Sequence, residues 1–205
     1  MTILQNLRDN PEPICKQNDF FVDVRGFRTT PEGTNRCEVG GAATLNLTKQ
    51  NGVYRLAVEN GGSDYFFPWV NRGVGEVSVP INQPNGTIVT TGGMNGCALQ
   101  VNRSGNNLIF YHDADNRYLG DLKQPQGRQL CRIEPNQYMK IPYGQTIVEE
   151  NPRAGLSYLY QLICVRHEGK WKVTYYGIIL GPGINMPINR TFTPGVSKFL
   201  ASFKE

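Results

Sequence analysis

From Ala42 to Val58 the chain alternates apolar and polar residues on both sides of Asn51-Gly52. Ala43, Leu45 and Leu47 precede the pair, and Val53, Arg55 and Ala57 alternate with Tyr54, Leu56 and Val58 after it. A period of two sends successive side chains to opposite faces of a strand, and Asn-Gly supplies the left-handed backbone of a tight hairpin turn. This segment is therefore committed to an antiparallel sheet with one buried face. A second pairing is read where Leu156 to His167 and Lys170 to Leu180, rich in Tyr, Val and Ile, flank Glu168-Gly169. Shorter strands are predicted over Tyr65 to Val70, Glu76 to Ile81, Thr87 to Thr91, Cys97 to Asn102, Leu108 to His112, Leu130 to Ile133 and Tyr138 to Ile141.

Helical signals are few. Thr2 to Arg8 reads as a short helix that Asn10-Pro11-Glu12-Pro13 breaks, and Thr193-Pro194 reads as the start of a terminal helix carrying Val196, Phe199, Leu200 and Phe203. The 23 glycines and 13 prolines among 205 residues follow no Gly-X-Y period, which excludes collagen and favours a turn-rich β fold. The predicted fold class is α/β (α+β), a sandwich of mixed β-sheets with a few peripheral helices, in one domain over residues 1–205.

Composition narrows the function. Residues are 39% hydrophobic and 19% charged, enough oily material for a core and too little charge for a disordered tail. The net charge of +4 comes without Lys/Arg clusters or a basic helix, so no direct nucleic-acid partner is expected. No apolar run is long enough for a membrane span, and the N-terminus lacks the basic start and sustained apolar stretch of a cleavable secretion signal. A monomer is expected. Cys15, Cys37, Cys97, Cys131 and Cys164 contain no Cys-x-x-Cys pair, so no metal site is read, and their odd number leaves at least one free thiol in a monomer. The Asn-x-Ser/Thr triplets at Asn46, Asn85, Asn102 and Asn189 read as chance matches in an Asn-rich chain.

Two histidines, His112 and His167, are the only imidazoles available for acid/base chemistry near neutral pH. Thr91-Gly92-Gly93-Met94-Asn95-Gly96-Cys97 puts a cysteine directly after a glycine-rich loop, and His112 closes the next strand beyond the turn Arg103-Ser104-Gly105-Asn106. If Cys97 to Asn102 pairs with Asn107 to His112, thiol and imidazole face each other across the strands at a Cβ separation of about 5 Å. The loop glycines would expose the sulfur and leave backbone N–H groups for a developing oxyanion. Thr91 would orient the ring. The competing reading makes Cys97 a buried strand residue, His112 a surface residue and the glycines an ordinary loop. Asp113 and Asp115 read as solvated turn carboxylates, Asp113 on the face opposite His112. His167 reads as an exposed turn residue, and Trp69 and Trp171 as packing residues, with the lining of a substrate groove as the alternative for both.

A threonine six positions before the cysteine of a Gly-Cys pair, with a histidine fifteen positions after it, resembles the cysteine-dependent glutamine deamidase toxins. That family includes the Burkholderia lethal factor and the catalytic domain of cytotoxic necrotizing factor. Thr91, Cys97 and His112 are the matching positions, and Pro68-Trp69 is a further point of similarity. Asn95 stands where the Burkholderia toxin has serine. The resemblance implies that Cys97 attacks the carboxamide carbon of a protein glutamine. His112 would move the thiol proton to departing ammonia, Thr91 would fix the ring, and backbone N–H groups of the Asn95-Gly96-Cys97 loop would form the oxyanion hole. No cofactor is implied. The expected partner is a host protein carrying the target glutamine, with a DEAD-box translation initiation helicase favoured over Rho-family GTPases. The expected setting is a bacterial effector acting in the reducing host cytosol. A Cys-His peptidase or acyltransferase and a non-enzymatic β-sandwich binding module are the alternatives.

Overall fold

The computed structural model describes residues 1–32, 36–50, 52–139, 157–180 and 197–205. Thr2 caps α1 (Ile3–Asp9), its hydroxyl accepting the Gln5 N–H at 3.2 Å. Asn10-Pro11-Glu12-Pro13 does end this helix, but it also starts α2 (Pro11–Gln17) rather than a loop. First-turn N–H groups have no intrahelical acceptor, so the early prolines remove no helical bond. Strands β1 (Phe20–Gly26), β2 (Thr30–Glu32), β3 (Cys37–Val39), β4 (Gly41–Gln50), β5 (Val53–Asn60), β6 (Asp64–Phe67) and β7 (Val74–Pro80) follow. Then come β8 (Ile88–Gly93), β9 (Ala98–Ser104), β10 (Asn107–Asp113), β11 (Arg128–Ile133), α3 (Pro135–Tyr138), β12 (Ser157–His167), β13 (Lys170–Leu180) and β14 (Ser197–Phe203).

The strands make two mixed sheets, one of eight in the order β1-β5-β4-β6-β8-β12-β13-β14 and one of six in the order β11-β9-β10-β7-β3-β2. Both long hairpins form where alternation placed them, β4 with β5 and β12 with β13. The sheets face each other across a core joining Val77, Leu99 and Phe110 of the smaller sheet to Phe67, Leu162 and Trp171 of the larger. Phe110 meets Trp171 edge-on, with ring centroids 5.5 Å apart. On the outer face of the eight-stranded sheet, Leu7 of α1 and Cys15 of α2 bury against Phe20, Leu56, Ile163 and Tyr176. The result is helices on sheet on sheet, a sheet-rich α+β fold. Among the described residues no helix is long and apolar enough to cross a membrane.

Two expected elements differ. The terminal helix is instead strand β14, paired antiparallel with β13, and the Thr193-Pro194 cap lies outside the described residues. Its pairing skips Leu200, because Val173 faces Ala201 and Thr174 faces Phe199. Ala201 and Phe203 thus follow the period of two that an open edge of β13 rewards, and Leu200 is the extra residue of a bulge. Tyr138, predicted to begin a strand, closes α3 under the reciprocal cap of Glu134 and Gln137; residues 140–141 of that expectation lie outside the described residues.

Asp23 on β1 is buried and accepts hydrogen bonds from Arg25 Nη2 at 2.6 Å and Arg55 Nε at 2.7 Å. Burial pushes its carboxyl up, but the two guanidinium groups outweigh burial and hold it at about 2. A depressed carboxylate contributes stability above its unfolded value and loses it as pH falls through the folded one. Arg55→Ala is therefore expected to destabilise the fold by about 1.5–3 kcal/mol at pH 7. In urea titrations its deficit against wild type should shrink between about pH 4 and pH 2; a deficit independent of pH would contradict this account.

Candidate active site

Thr91, on β8 of the larger sheet, and His112, on β10 of the smaller, meet across the sandwich with Oγ1 2.7 Å from Nδ1. The Thr91 hydroxyl has one hydrogen, and it donates that to the Phe67 carbonyl at 2.7 Å. A carbonyl only accepts, so the hydroxyl must accept from the ring, and Nδ1 carries the proton. The neutral imidazole is thereby fixed with its lone pair on Nε2. His112 is fully buried, and Nε2 has no hydrogen-bond partner among the described residues. Burial pushes the ring's pKa down to about 3, so at neutral pH it is a base without a proton at Nε2.

Cys97 falls just before β9, and the register expected for it shifts by two residues. His112 pairs with Leu99 rather than Cys97, because the hairpin turns through Gly105-Asn106 alone instead of four residues. Gly105 has φ +58, the left-handed backbone that the first position of a two-residue turn needs. The slip is two residues, an even number; Cys97 itself precedes β9 and, like His112, is buried in the interior. Thiol and imidazole are not hydrogen-bonded to each other; the Cys97 Sγ contacts the Asn95 carbonyl at 3.8 Å. Burial pushes the thiol up to about 11, the Asp115 backbone N–H and the Trp69 indole N–H beside the sulfur pull down, and the Asp115 and Asp113 carboxylates add to the rise. The pair rests uncharged.

The glycine loop is a tight turn rather than a set of open donors. The Cys97 N–H donates to the Met94 carbonyl at 2.7 Å, with Gly96 at φ +81 in the left-handed position of a type II turn. The Gly96 N–H points at Met139 Sδ, 3.0 Å away, and the Asn95 Oδ1 accepts the Tyr160 N–H at 2.8 Å. The Tyr138 hydroxyl lies 2.5 Å from both the Met94 and Cys97 carbonyls and clamps the two ends of the turn. The loop donors expected for an oxyanion, Gly96 and Cys97, are thus engaged within the protein. The N–H groups that pull the thiol's pKa down belong to Trp69 and Asp115.

Those two residues are the ones that sequence reasoning assigned elsewhere. Trp69 is 51% exposed rather than packed, and Trp171 is buried as expected. The Pro68-Trp69 backbone lies hard against β7, where a Cβ on Gly75 would sit 1.8 Å from the Pro68 carbonyl oxygen. Glycine at 75 is the sequence mark of such an approach. Asp115 keeps an exposed side chain and has left-handed backbone at φ +54, which the Asp-Ala-Asp-Asn sequence tolerates. Asp113 is no solvated carboxylate. It is fully buried, its Oδ1 accepting the N–H groups of Arg117, Tyr118 and Leu119 at 3.1, 2.7 and 2.9 Å while Arg132 Nη2 reaches Oδ2 at 3.2 Å. It thus pins the loop that carries Asp115. His167 is only partly exposed, with Nε2 3.8 Å from Glu168, remote from this group.

All five cysteines are free, Cys15 and Cys37 included. Among the described residues no cluster of three or more His, Cys, Asp and Glu side chains is arranged to hold a metal ion. No protein-family model matches the chain, and no curated protein matches it.

The ring assignment is directly measurable. Nitrogen NMR should find His112 neutral, protonated at Nδ1, and unchanged from pH 8 down to about pH 4. Because its folded pKa is depressed, its contribution to stability should fall as pH drops from about 6.5 towards about 3. A ring that takes a proton near pH 6.5, or that carries its neutral proton on Nε2, would refute the Thr91 argument.

Proposed function

We propose that the protein is a cysteine-dependent protein-glutamine deamidase. The observation that carries this reading is the buried imidazole whose Nε2 lone pair has no partner among the described residues, in the interior where Cys97 is also buried. Burying an unsatisfied polar atom costs about 1–3 kcal/mol, a cost more readily explained at a site that uses the atom. The match of Thr91, Cys97 and His112 to the deamidase toxins supports the same chemistry.

In this mechanism the Cys97 sulfur attacks the side-chain carboxamide carbon of glutamine as its proton moves to His112 Nε2. Neither group is ionised beforehand, since their pKa values of about 11 and about 3 oppose a resting thiolate and imidazolium. The imidazolium then protonates the leaving nitrogen, ammonia departs, and a thioester remains. Water, deprotonated by the same ring, hydrolyses the thioester to glutamate and restores the thiol. Thr91 keeps Nδ1 protonated throughout, and the Trp69 and Asp115 N–H groups favour negative charge on the sulfur. The chemistry needs no cofactor. A DEAD-box translation initiation helicase of a host cell is the first substrate to assay, and a Rho-family GTPase the second, in keeping with the effector role that the resemblance implies.

A second reading, a binding module with an inert thiol, is favoured by the 1% exposure of Cys97 and the lack of a thiol-imidazole hydrogen bond. Ammonia release and intact-mass proteomics of treated host lysate separate the two. Deamidation predicts ammonia and an amide-to-acid mass change on one partner glutamine, abolished by Cys97→Ser and His112→Ala and reduced more than about tenfold in kcat by Thr91→Val. The pH profile of kcat/KM should be flat between about pH 5 and pH 9, because both groups titrate outside that window. Identical lysates from wild type and Cys97→Ser would leave the binding module, and cleaved chains would point to a peptidase.

A further inference from the structure

Alongside the Met94–Cys97 turn a cleft of about 640 Å³ opens to the surface, walled by Phe27, Phe66, Trp69 and Leu159 and floored by Gly92 and Gly93. It is continuous with the candidate site, since Asn95 and Trp69 line it and also flank the sulfur. Three features show what it fits. Trp69 exposes half its surface here, although Met1 and Leu122 are the only other large apolar side chains so exposed among the described residues. Exposed tryptophan in a concave surface is the usual anchor of an interface.

Gly92 leaves a space that a side chain would fill. A Cβ there would meet Trp69 Cβ at 3.9 Å and Val24 Cγ1 at 4.0 Å, ordinary contacts, and its backbone is not in the left-handed region. Neither strain nor crowding calls for glycine at this position. The third feature is charge. Glu38 lines the cleft, its Oε2 accepting the Thr29 hydroxyl at 2.5 Å, and no cation pairs with it among the described residues. Among the described residues no lysine or arginine lines the cleft. An apolar trough with one uncompensated carboxylate complements a chain bearing a large apolar side chain and a cation.

We infer that the cleft reads the sequence around the target glutamine, seating a large apolar side chain of the protein substrate against Trp69 over Gly92 and a lysine or arginine of the same segment at Glu38. This inference rests on the deamidase reading for its substrate and adds the partner's chemistry.

The test uses synthetic glutamine peptides with the full chain. Peptides pairing Leu or Phe beside the glutamine with a nearby Lys should exceed those with Ser and Glu by at least about tenfold in kcat/KM, the scale of seating one apolar side chain. Glu38→Lys should reverse the charge preference, a swap that a purely structural role would not produce. Gly92→Leu should raise KM about tenfold with little change in kcat or melting temperature. Equal rates across the peptides, an unreversed preference in Glu38→Lys, or an unchanged KM in Gly92→Leu would overturn the inference. If no peptide releases ammonia, the deamidase reading fails and the cleft is judged separately by binding to Cys97→Ser. Trp69 fluorescence should then respond to the Leu/Lys peptide, with the response lost in Gly92→Leu and in Trp69→Phe; no response would overturn the inference.

Discussion

A single hydroxyl joins the two sheets at their most constrained point. Thr91 accepts the His112 proton and passes its own to the Phe67 carbonyl, so one oxygen of the larger sheet decides where the lone pair of a ring in the smaller sheet resides. In a dry interior an unpaired polar atom is expensive, and the packing around this bond is otherwise apolar or aromatic, with the Phe67 ring centroid 6.2 Å from the imidazole. The polar contact therefore specifies how β8 and β10 face each other, which the surrounding hydrocarbon alone would fix less sharply. It also leaves one nitrogen unspent, and the chemistry proposed for the protein begins there.

Around that point the framework is built to hold backbone in place. Tyr138 ties both carbonyls at the ends of the turn before Cys97, and Asp113 gathers three consecutive N–H groups of the loop that brings Asp115 to the sulfur. Gly75 lets the Pro68-Trp69 backbone approach β7. None of these residues reacts in the mechanism. In the proposed chemistry their work is to keep turn, loop and indole in register with the sulfur, so that an uncharged thiol and an uncharged ring need only a substrate amide between them.

What could be read from the sequence follows the strength of local signals. Alternation around Asn51-Gly52 and Glu168-Gly169 identified both long hairpins, because period and turn chemistry agree there. Thr91, Cys97 and His112 were legible as a group through their spacing. Their detailed geometry was not, since the choice between a turn of two residues and one of four at Gly105 depends on pairing along the whole of β9 and β10. The C-terminal segment carried apolar residues compatible with either period, and only the open edge of β13 decided for a strand. Asp113 and Trp69 were misjudged because their types suggest the surface for one and the core for the other. Long-range partners reversed both: Arg132 and a loop of N–H groups for the carboxylate, a glycine-softened strand beneath the indole.

The hairpin between β9 and β10 has a property that reaches beyond its length. Side chains along a strand return to the same side only at every second residue, so the linkage between Cys97 and His112 depends on whether the connecting turn changes by an odd or an even number of residues. A slip of two residues between β9 and β10 would slide the imidazole along the same side of the sheet, whereas a slip of one would put it and Leu99 on opposite sides. Parity at that distant bend, rather than its chemistry, guards which side chain inhabits the interior.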